Sequence, residues 1–417
     1  MRVLMFGWEF PPHISGGLGV ASEGLVRGLL QAGTEVVLVL PRHPATSDDG
    51  RLRIVDAERV RAADDAPHRK RFLLRLRRVP SLLRPYVTAG EYAAERETAR
   101  AAGVAFAGHY GSDLGDEVLR FAETAGRIAR SERFDVIHAH DWLTYLAGLE
   151  ARRASGRPLV VHVHATELDR AGGGGNRFVE EIERLGVNSA DRVIAVSRFT
   201  AGLVSDRYGI PADRIRVVHN AIDARETVGD WSVEEREPLV LFAGRITWQK
   251  GPEYFVDAAA RVLAELPDVK FAVAGSGDRM GSMIERVAAH GIGRNVLFTG
   301  FLPPAELDRL FARADVYVLP SVSEPFGLTA LEALEHGTPA IVSRNAGVSE
   351  VVRNVLRVDF GDVEDLASKI LSVLLFSPLR DALASGGLAE VRRLSWRDSA
   401  EKCLEVYREV VGVGLRS

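Results

Sequence analysis

The chain has 417 residues, of which 46% are hydrophobic and 26% charged, with a net charge of −4 and one cysteine. Chains longer than roughly 250–300 residues usually split, so this length and ordinary composition predict two globular domains. The charge balance excludes a general attraction to nucleic acid or to an anionic membrane, and Cys403 alone excludes an internal disulfide framework and a cysteine zinc site.

The first residues, "MRVLMFGWEF", predict a buried strand, because their apolar run is too short for the hydrophobic region of a secretory signal. No apolar run in the sequence approaches the roughly 20 residues that a membrane span needs. Together with the single cysteine, these features predict a cytoplasmic protein.

Short apolar runs alternate with amphipathic stretches along the first half of the chain. "RVLMFGW" precedes a glycine-rich turn and the helical pattern "VASEGLVRGLLQAG", and further predicted strands follow at "EVVLVLP", "FDVIHAHD", "PLVVHVHAT" and "DRVIAVS". This alternation is typical of a parallel sheet covered on both faces. It predicts a doubly wound, Rossmann-like α/β domain over residues 1–220.

The segment between Thr46 and Arg133 fits this alternation least well. It contains "HRKRFLLRLRRVPSLLR", whose basic, leucine-rich run Arg69–Arg84 lies in a stretch with no acidic residue between Asp65 and Glu91. Such a run is suited to an acceptor groove or to contact with a membrane surface. The simpler interpretation is a solvated helix that packs through its leucines.

The strand and helix pattern restarts after a polar stretch at residues 221–237, which we interpret as a linker. "PLVLFAGR", "KFAVAGSG", "NVLFTGF", "ADVYVLPS" and "PAIVS" predict strands, and "PEYFVDAAARVLAEL" predicts an amphipathic helix. A second doubly wound domain is therefore expected over residues 238–393. The cleft between two such domains is the expected ligand site, because open parallel sheets bind ligands at the carboxyl ends of their strands.

The first candidate position is the turn "PPHISGGLG", which follows the first predicted strand. Gly16 and Gly17 stand there before a helix N-terminus, an arrangement that lets an anionic ligand approach the backbone closely. The glycine spacing differs from a dinucleotide fingerprint. A plain strand-to-helix turn is the alternative interpretation.

Four histidines lie near the ends of two later predicted strands: His138, His140, His162 and His164. Histidines at alternate positions of a strand point to the same face, and the apolar flanks predict that His138 and His162 are buried and hydrogen-bonded. His140 and His164 are nearer the strand ends and are expected to reach the cleft. A metal at this edge would need the neighbouring carboxylates Asp141, Glu167 and Asp169. We expect no metal there.

In the second domain, "FAGRITWQKG" places two cations, Arg245 and Lys250, just after a strand. The pair suits a diphosphate, because arginine offers two parallel donors and lysine a mobile point charge. Two solvated cations on a loop are the alternative.

The stretch "SEPFGLTALEALEHGTPAIVS" predicts a helix with Pro325 at its first position and Glu324 at or next to its N-cap. Glu332 follows eight residues after Glu324, on a similar helix face. Its carboxylate is suited to the vicinal diol of a ribose, whereas Glu324 is suited to sugar hydroxyls. A capping acid plus a charge on the helix face is the alternative.

The N–H groups of Phe326, Gly327 and Leu328 are the expected unpaired donors at that helix start. Between the two glutamates they would lie over anionic oxygens. The whole stretch therefore fits a nucleoside diphosphate sugar, with the ribose deeper and the sugar at the top.

At these residues the sequence resembles the retaining nucleotide-sugar glycosyltransferases of the GT-B fold, family four. The likeness covers nearly the whole chain and is carried by "EPFGLTALE", "FAGRITWQKG", "VVHNAID" and "NVLFTGFLPPAELDRLFARADVYVLPS". "MFGWEFPPHISGGLG", "HATELDR" and "VIAVSRFT" are similar to a glycogen-synthase-like bacterial subgroup. The resemblance implies two Rossmann-like domains facing across a cleft, with the last helix, within residues 394–417, packing back on the first domain.

The resemblance also implies a role for each candidate residue. Arg245 and Lys250 match the pair that neutralises the leaving diphosphate. Glu324 matches the glutamate at the donor sugar and Glu332 the glutamate that binds the ribose. His164 matches an active-site histidine that touches the transferred sugar.

The backbone candidates are matched in the same way. Phe326, Gly327 and Leu328 match the amide cluster over the sugar and phosphate, and Gly16 and Gly17 match the glycine loop that faces the donor from the first domain.

Asp141 falls where related starch and glycogen synthases have an aspartate near the acceptor. Synthases of the other main family have a lysine two places before the glycine pair, where this chain has Ile14 or Ser15, and they lack the second glutamate. The chain therefore follows family four, with ADP-glucose or UDP-glucose as the expected donor and an α-glucan as the expected acceptor.

Two cations and a helix start are expected to stabilise the leaving diphosphate without a cofactor or a metal. Other functions stay open at this point. They are a monotopic transferase that glycosylates a lipid or another small acceptor through the basic run, a non-catalytic nucleotide-sugar or carbohydrate-binding protein, and a nucleotide-sugar epimerase.

Overall fold

The computed structural model describes residues 1–12, 16–42, 50–57, 60, 114–172, 175–222 and 237–414. The first of two sheets contains the strands β1 (Arg2–Phe6), β2 (Glu35–Leu40), β3 (Leu52–Asp56), β4 (Val136–His140), β5 (Leu159–Val163), β6 (Arg192–Ala195) and β7 (Ile215–Val217). Their spatial order is β3-β2-β1-β4-β5-β6-β7. All neighbouring strands are parallel, as the predicted doubly wound topology requires.

The second sheet contains the strands β8 (Leu239–Ala243), β9 (Lys270–Ala274), β10 (Val296–Gly300), β11 (Val316–Leu319), β12 (Ala340–Ser343) and β13 (Leu356–Val358). Their order is β10-β9-β8-β11-β12-β13, again all parallel. Residues 223–236, most of the predicted linker, lie outside the described residues, and the domain boundaries drawn from the sequence stay a prediction.

The described helices of the first half are α1 (Gly17–Gln31), α2 (Leu114–Ser131), α3 (Trp142–Ser155), α4 (Glu167–Ala171), α5 (Arg177–Ser189) and α6 (Arg198–Tyr208). Those of the second half are α7 (Pro252–Glu265), α8 (Met280–Ala289), α9 (Pro304–Arg313), α10 (Leu328–Glu335), α11 (Val363–Leu375), α12 (Ser377–Val391) and α13 (Trp396–Gly414). Short 3-10 turns form at Ala212–Arg214, Trp248–Lys250 and Gly347–Glu350.

Each sheet has a hydrophobic core on both faces, because alternate side chains of a strand point to opposite sides. In β1, Leu4 and Phe6 pack against residues of α2 and α3, whereas Val3 and Met5 pack on the side of α1 and α13. The strands of the second sheet divide in the same way between α9 and α10 on one face and α7 and α11 on the other.

The C-terminal helix α13 packs on α1 in the first half of the chain. Gly24 and Gly28 permit this contact, since a Cβ on Gly24 would lie 2.1 Å from the Trp396 ring and one on Gly28 would lie 2.3 Å from the Trp396 carbonyl oxygen. Glu409 of α13 also bonds Arg192 and Arg216 of the first sheet. The helix after the second domain is therefore anchored to the first.

The basic run Arg69–Arg84 lies outside the described residues. Within the described part of the chain, no helix is both long enough and apolar enough to cross a bilayer.

Candidate active site

The loops that follow β8 and β9 are in direct backbone contact at the carboxyl edge of the second sheet. A Cβ on Gly275 would lie 1.9 Å from the Gly244 carbonyl oxygen, and one on Gly277 would lie 2.2 Å from the Ile246 carbonyl oxygen. Any larger residue would push the two loops apart. This packing fixes the start of the segment that contains Arg245 and Lys250.

The segment after β8 is also bonded to the loop after β11. Arg245 Nη2 donates to Gln249 Oε1 over 3.4 Å, and the backbone carbonyl of the buried Gln249 accepts from the Val322 N–H over 2.9 Å. Lys250 Nζ donates to Glu324 Oε2. Two of the residues predicted for the site, Lys250 and Glu324, are thus in direct contact.

Glu324 is held on several sides. Its Oε2 also accepts from the Ser321 hydroxyl over 3.1 Å, its N–H donates to the Asn345 carbonyl over 2.9 Å, and its own carbonyl accepts from the Gly347 N–H over 3.0 Å. Only 7% of its side chain is exposed. The position of this carboxylate is therefore fixed by backbone and side-chain bonds together.

The prediction that Pro325 opens the following helix is wrong. Helix α10 begins at Leu328, with Gly327 as its N-cap at φ 106°. The preceding residues pair instead with another loop: Glu324 forms a parallel bridge with Ala346, and the Phe326 carbonyl accepts a backbone bond from that loop. Those tertiary bonds hold the segment extended, so Glu324 is outside the helix and the expected shared helix face does not exist.

The two glutamates nevertheless lie near one common group, the buried phenol of Tyr317. Its hydroxyl lies 2.7 Å from Thr329 Oγ1. Burial raises the pKa of Tyr317 strongly, and the charges of Glu324 and Glu332 raise it further. The structure thus brings Glu332, which is half-buried on α10, into the same electrostatic environment as Glu324.

The backbone amides before α10 are the next feature. Among the described residues, none accepts a hydrogen bond from the N–H groups of Phe326, Gly327 or Leu328. These donors are at the positive end of α10. Across the cleft, a Cβ on Gly17 would lie 3.8 Å from Leu328 Cδ1, so the N-terminus of α1, capped by Gly16, faces that of α10.

The first domain contributes His164, which follows β5 and is half-buried. Its backbone N–H donates to Asp141 Oδ1 over 2.7 Å, and its Nε2 lies 2.9 Å from His140 Nδ1. Asp141 is 2% exposed and has φ 57°, a backbone strain of the kind that clusters at functional sites. Asp141 therefore lies behind His164 and supports its loop.

Three of the four histidines are buried in one stack: His138, His140 and His162. The expectation that His140 reaches the cleft is wrong, since it is 1% exposed and lies behind His164. Burial lowers the pKa of every member of the stack, that of His138 to about 3, so all are neutral near pH 7.

One ring nitrogen from each of these three histidines lies within 4.8 Å of the others, which is close enough to suggest a metal centre. However, the His138 and His162 rings are stacked with 11° between their planes, and the rings of His140 and His162 are tilted by 32°. Lone pairs lie in the ring plane, so the stacked rings of His138 and His162 do not direct theirs at one tetrahedral centre. We assign no metal to this cluster.

Sequence reasoning missed a set of contacts that cross the cleft. Thr166 and Asp169 form a capping box at the start of α4, and Asp169 Oδ1 accepts from the Ser323 hydroxyl of the second domain over 2.5 Å. Gly172 packs on Trp248, whose ring would lie 2.3 Å from a Cβ at Gly172. The spacing of Thr166 and Asp169 is a readable capping signal, but no sequence signal gives the partner across the cleft.

Arg170 is at the centre of a second group that the sequence did not indicate. Its guanidinium forms ion pairs with Asp141 at 3.7 Å, Glu167 at 3.6 Å and Glu183 at 3.5 Å. Burial raises the pKa of Glu183 to about 7, against the lowering by Arg170 and by the Tyr208 hydroxyl. This network joins α4 and α5 behind the loop of His164.

Two family models match the chain. The model described as "Glycosyltransferase Family 4" matches residues 86–226, and the model described as "Glycosyl transferases group 1" matches residues 223–388. A protein of Mycobacterium tuberculosis named glycogen synthase is 32% identical over 390 residues, which is 90% of this chain and 86% of that protein.

Solved structures resemble the whole chain in fold. Sucrose-phosphate synthase from Thermosynechococcus elongatus aligns with a TM-score of 0.74 at 21% identity, covering 99% of both chains. The Anabaena protein Alr3699/HepE in complex with UDP-glucose aligns with a TM-score of 0.68 at 18% identity, covering 98% of this chain and all of that one. Together with the two parallel sheets, these neighbours confirm the predicted fold.

Proposed function

The chain belongs to glycosyltransferase family 4 with a GT-B fold, and from this premise we propose that it is a retaining hexosyltransferase that moves glucose from ADP-glucose or UDP-glucose to an α-glucan. The observation that carries the donor half of the proposal is the convergence of Lys250 and Glu324 beside three backbone N–H groups that have no acceptor among the described residues. Donors held ready where negative charge develops lower a transition-state barrier without reorganisation.

In this reaction the bond between the anomeric carbon and the β-phosphate oxygen breaks, and the bond to the acceptor oxygen forms on the same face. The departing phosphate oxygen takes the proton of the acceptor hydroxyl, so no protein nucleophile is needed. Arg245, Lys250 and the N–H groups of Phe326, Gly327 and Leu328 stabilise the charge left on the diphosphate. No cofactor or metal takes part in the proposed reaction.

The remaining candidates take positions around the donor. Glu332 binds the ribose hydroxyls, Glu324 the hydroxyls of the transferred sugar, and His164 contacts that sugar from the first domain. Gly16 and Gly17 bring the start of α1 against the donor opposite Leu328, which is supported by the 3.8 Å approach of Gly17 to Leu328. Asp141 acts by supporting the loop of His164, next to the acceptor.

An α-glucan acceptor is supported by the relative named glycogen synthase, which aligns over 90% of the chain. A UDP-sugar donor is supported by the fold neighbour solved with UDP-glucose. Because one fold neighbour is named sucrose-phosphate synthase, a sugar phosphate is a second acceptor to test beside the α-glucan. The cytosol is the proposed site of the reaction.

The test is a screen of the purified chain with each common nucleotide sugar, following release of the nucleoside diphosphate. Glycogen, a hexose phosphate and lipid vesicles serve as separate acceptors, and a reaction without acceptor reports hydrolysis or epimerisation. We expect release with ADP-glucose or UDP-glucose to rise at least tenfold when glycogen is present, in line with transition-state stabilisation that requires both substrates.

Release that rises only with the hexose phosphate or with vesicles would overturn the α-glucan acceptor while leaving the transferase intact. Conversion of the donor without any acceptor would identify an epimerase, and no turnover with any donor would point to a binding protein. Activity lost in EDTA and restored by Mg²⁺ would contradict the metal-independent reaction.

A further inference from the structure

The buried histidine stack contains one contact that the proposed function does not use. His140 Nδ1 lies 2.9 Å from Nε2 of His164, the histidine placed at the transferred sugar. His140 is 1% exposed, and its own Nε2 has no hydrogen-bond partner among the described residues. These facts bear on which nitrogen of His164 carries a proton.

A single proton is shared between the two facing nitrogens, which leaves two arrangements. If His164 donates, the proton of neutral His140 stands on its Nε2 and becomes a buried donor without a partner. If His140 donates, its Nε2 is only an unfilled acceptor. Buried N–H donors without partners are rare in native structures, and under-satisfied acceptors are somewhat less rare.

We propose that His140 is a positioning residue that donates its Nδ1–H to His164 Nε2 and so holds His164 with its proton on Nδ1. His164 then presents an N–H donor to the cleft, where it binds a hydroxyl of the transferred sugar, and it does not act as a base. This inference rests on the proposed function for the identity of the sugar, but the tautomer itself rests on the 2.9 Å contact.

The surroundings keep the pair neutral and in place. Burial lowers the pKa of both histidines, and Asp141 opposes that effect at His164 only in part. The ring of His162 stacks on His164 with centroids 4.3 Å apart, and Asp141 Oδ1 fixes the His164 backbone. A flip of the His164 ring would turn a C–H toward His140 and lose the bond.

The chain offers a matched control in His138, a second member of the stack. His138 Nδ1 lies 2.7 Å from the Tyr407 hydroxyl, and its ring lies 4.2 Å from that of His140, centroid to centroid. It shares the burial of His140, but no hydrogen bond joins it to His164 among the described residues. Replacing each histidine with phenylalanine therefore removes one hydrogen bond from the same stack while keeping a ring there.

The experiment compares His140→Phe, His140→Asn and His138→Phe by turnover and by ¹⁵N NMR of histidine-labelled protein. In the unchanged chain we expect His164 protonated on Nδ1. In His140→Phe we expect a mixture of His164 tautomers and a kcat reduced by about tenfold or more. The donor KM should stay within about twofold of that of the unchanged chain, because the variant loses an orienting partner and not a binding group.

His140→Asn places an amide near the position of Nδ1 and is expected to restore the tautomer and part of the kcat. His138→Phe is expected to lose stability but to keep both the His164 tautomer and the kcat of the unchanged chain. The proposal is overturned if His164 is protonated on Nε2 in the unchanged chain, or if His140→Phe alters neither tautomer nor kcat. The NMR result does not depend on turnover, so a failure of the proposed function is distinguishable from a failure of this inference.

Discussion

Lys250 and Glu324 are the pair of residues on which the proposed donor site depends most. Their side chains are only 15% and 7% exposed, so each charge is largely shielded from water and is stabilised by the opposite charge of its partner. Removal of one partner from such a pair leaves an uncompensated charge, which is strongly destabilising. The pair of Lys270 and Glu237 is a useful contrast, because these side chains are 36% and 58% exposed and exposed pairs contribute little.

We predict that Lys250→Met lowers the free energy of unfolding by about 3 kcal/mol, because Glu324 is left unpaired. The same variant should lose at least about a hundredfold in kcat, since a group that stabilises the leaving charge is gone. The double variant Lys250→Met with Glu324→Gln should regain most of the stability but none of the turnover. Urea unfolding and initial rates measure both.

Lys270→Met is the control, with an expected stability change within about 1 kcal/mol and normal turnover. Recovery of turnover in the double variant would show that Lys250 takes no part in the chemistry. Unchanged stability in Lys250→Met would show that the ion pair does not stabilise the fold.

The sequence predicts that Lys250 and Glu324 share a site, because each follows a strand whose carboxyl end faces the cleft. It does not predict that they touch, since the contact joins residues 74 positions apart through the order of strands in the sheet. The burial of His140 was missed for a similar reason. How deep a strand residue lies depends on the loop that covers it, here the loop with His164, and that is a tertiary property.

Among the elements, α10 shows how a tertiary contact moves a helix boundary. Its N-cap, Gly327, has φ 106°, and a Cβ there would lie 3.1 Å from Leu319 Cδ2 and 3.3 Å from Glu324 Cγ. Gly337, just past the C-terminal end of α10, also has positive φ, at 76°, but a Cβ there meets nothing within 4 Å. The two glycines therefore separate backbone strain from crowding at the site.

We predict that Gly327→Ala and Gly337→Ala both lower the unfolding free energy by about 1 kcal/mol or more, because alanine tolerates positive φ poorly. Gly327→Ala alone should raise the donor KM several-fold, since the added methyl displaces Glu324 and the neighbouring N–H groups. Thermal unfolding and titration with the nucleoside diphosphate distinguish the two effects. Equal nucleotide affinity in both variants would show that the Gly327 turn does not shape the donor site.

The strands that sequence patterns missed are β3, β7 and β13, which are all at sheet edges. β7 and β13 have three residues each, and β3 consists of the partly polar sequence "LRIVD". An edge strand is paired on one side and needs a weaker apolar run than a central strand, so its pattern is less distinct. The central strands were predicted because burial on both faces makes them almost continuously apolar. The edge strand β10 was predicted as well, because it begins with the apolar run "VLF".

At the scale of the whole molecule, the two domains are joined by α13 at the back and by polar contacts across the cleft. Ser323 in the second domain donates to Asp169 in the first over 2.5 Å, and Trp248 covers Gly172. Both contacts lie beside the residues assigned to the donor. Closure of such a cleft excludes water and commits the donor to transfer.

We predict that Ser323→Ala weakens closure of the cleft, because a hydrogen bond to a charged group typically contributes about 1.5–3 kcal/mol. The expected result is a kcat/KM for transfer about tenfold lower and a larger share of donor lost to water. Small-angle scattering should show a larger radius of gyration.

Ser349→Ala is the matched control, because the Ser349 hydroxyl donates to the Ala346 carbonyl within the second domain. If the two variants partition the donor alike between transfer and hydrolysis, the Ser323 bond does not contribute to closure. The orientation of the domains is then held by other contacts, such as the α13 anchor, the Trp248 contact and the bonds from the Arg198 and Phe199 N–H groups to Glu350.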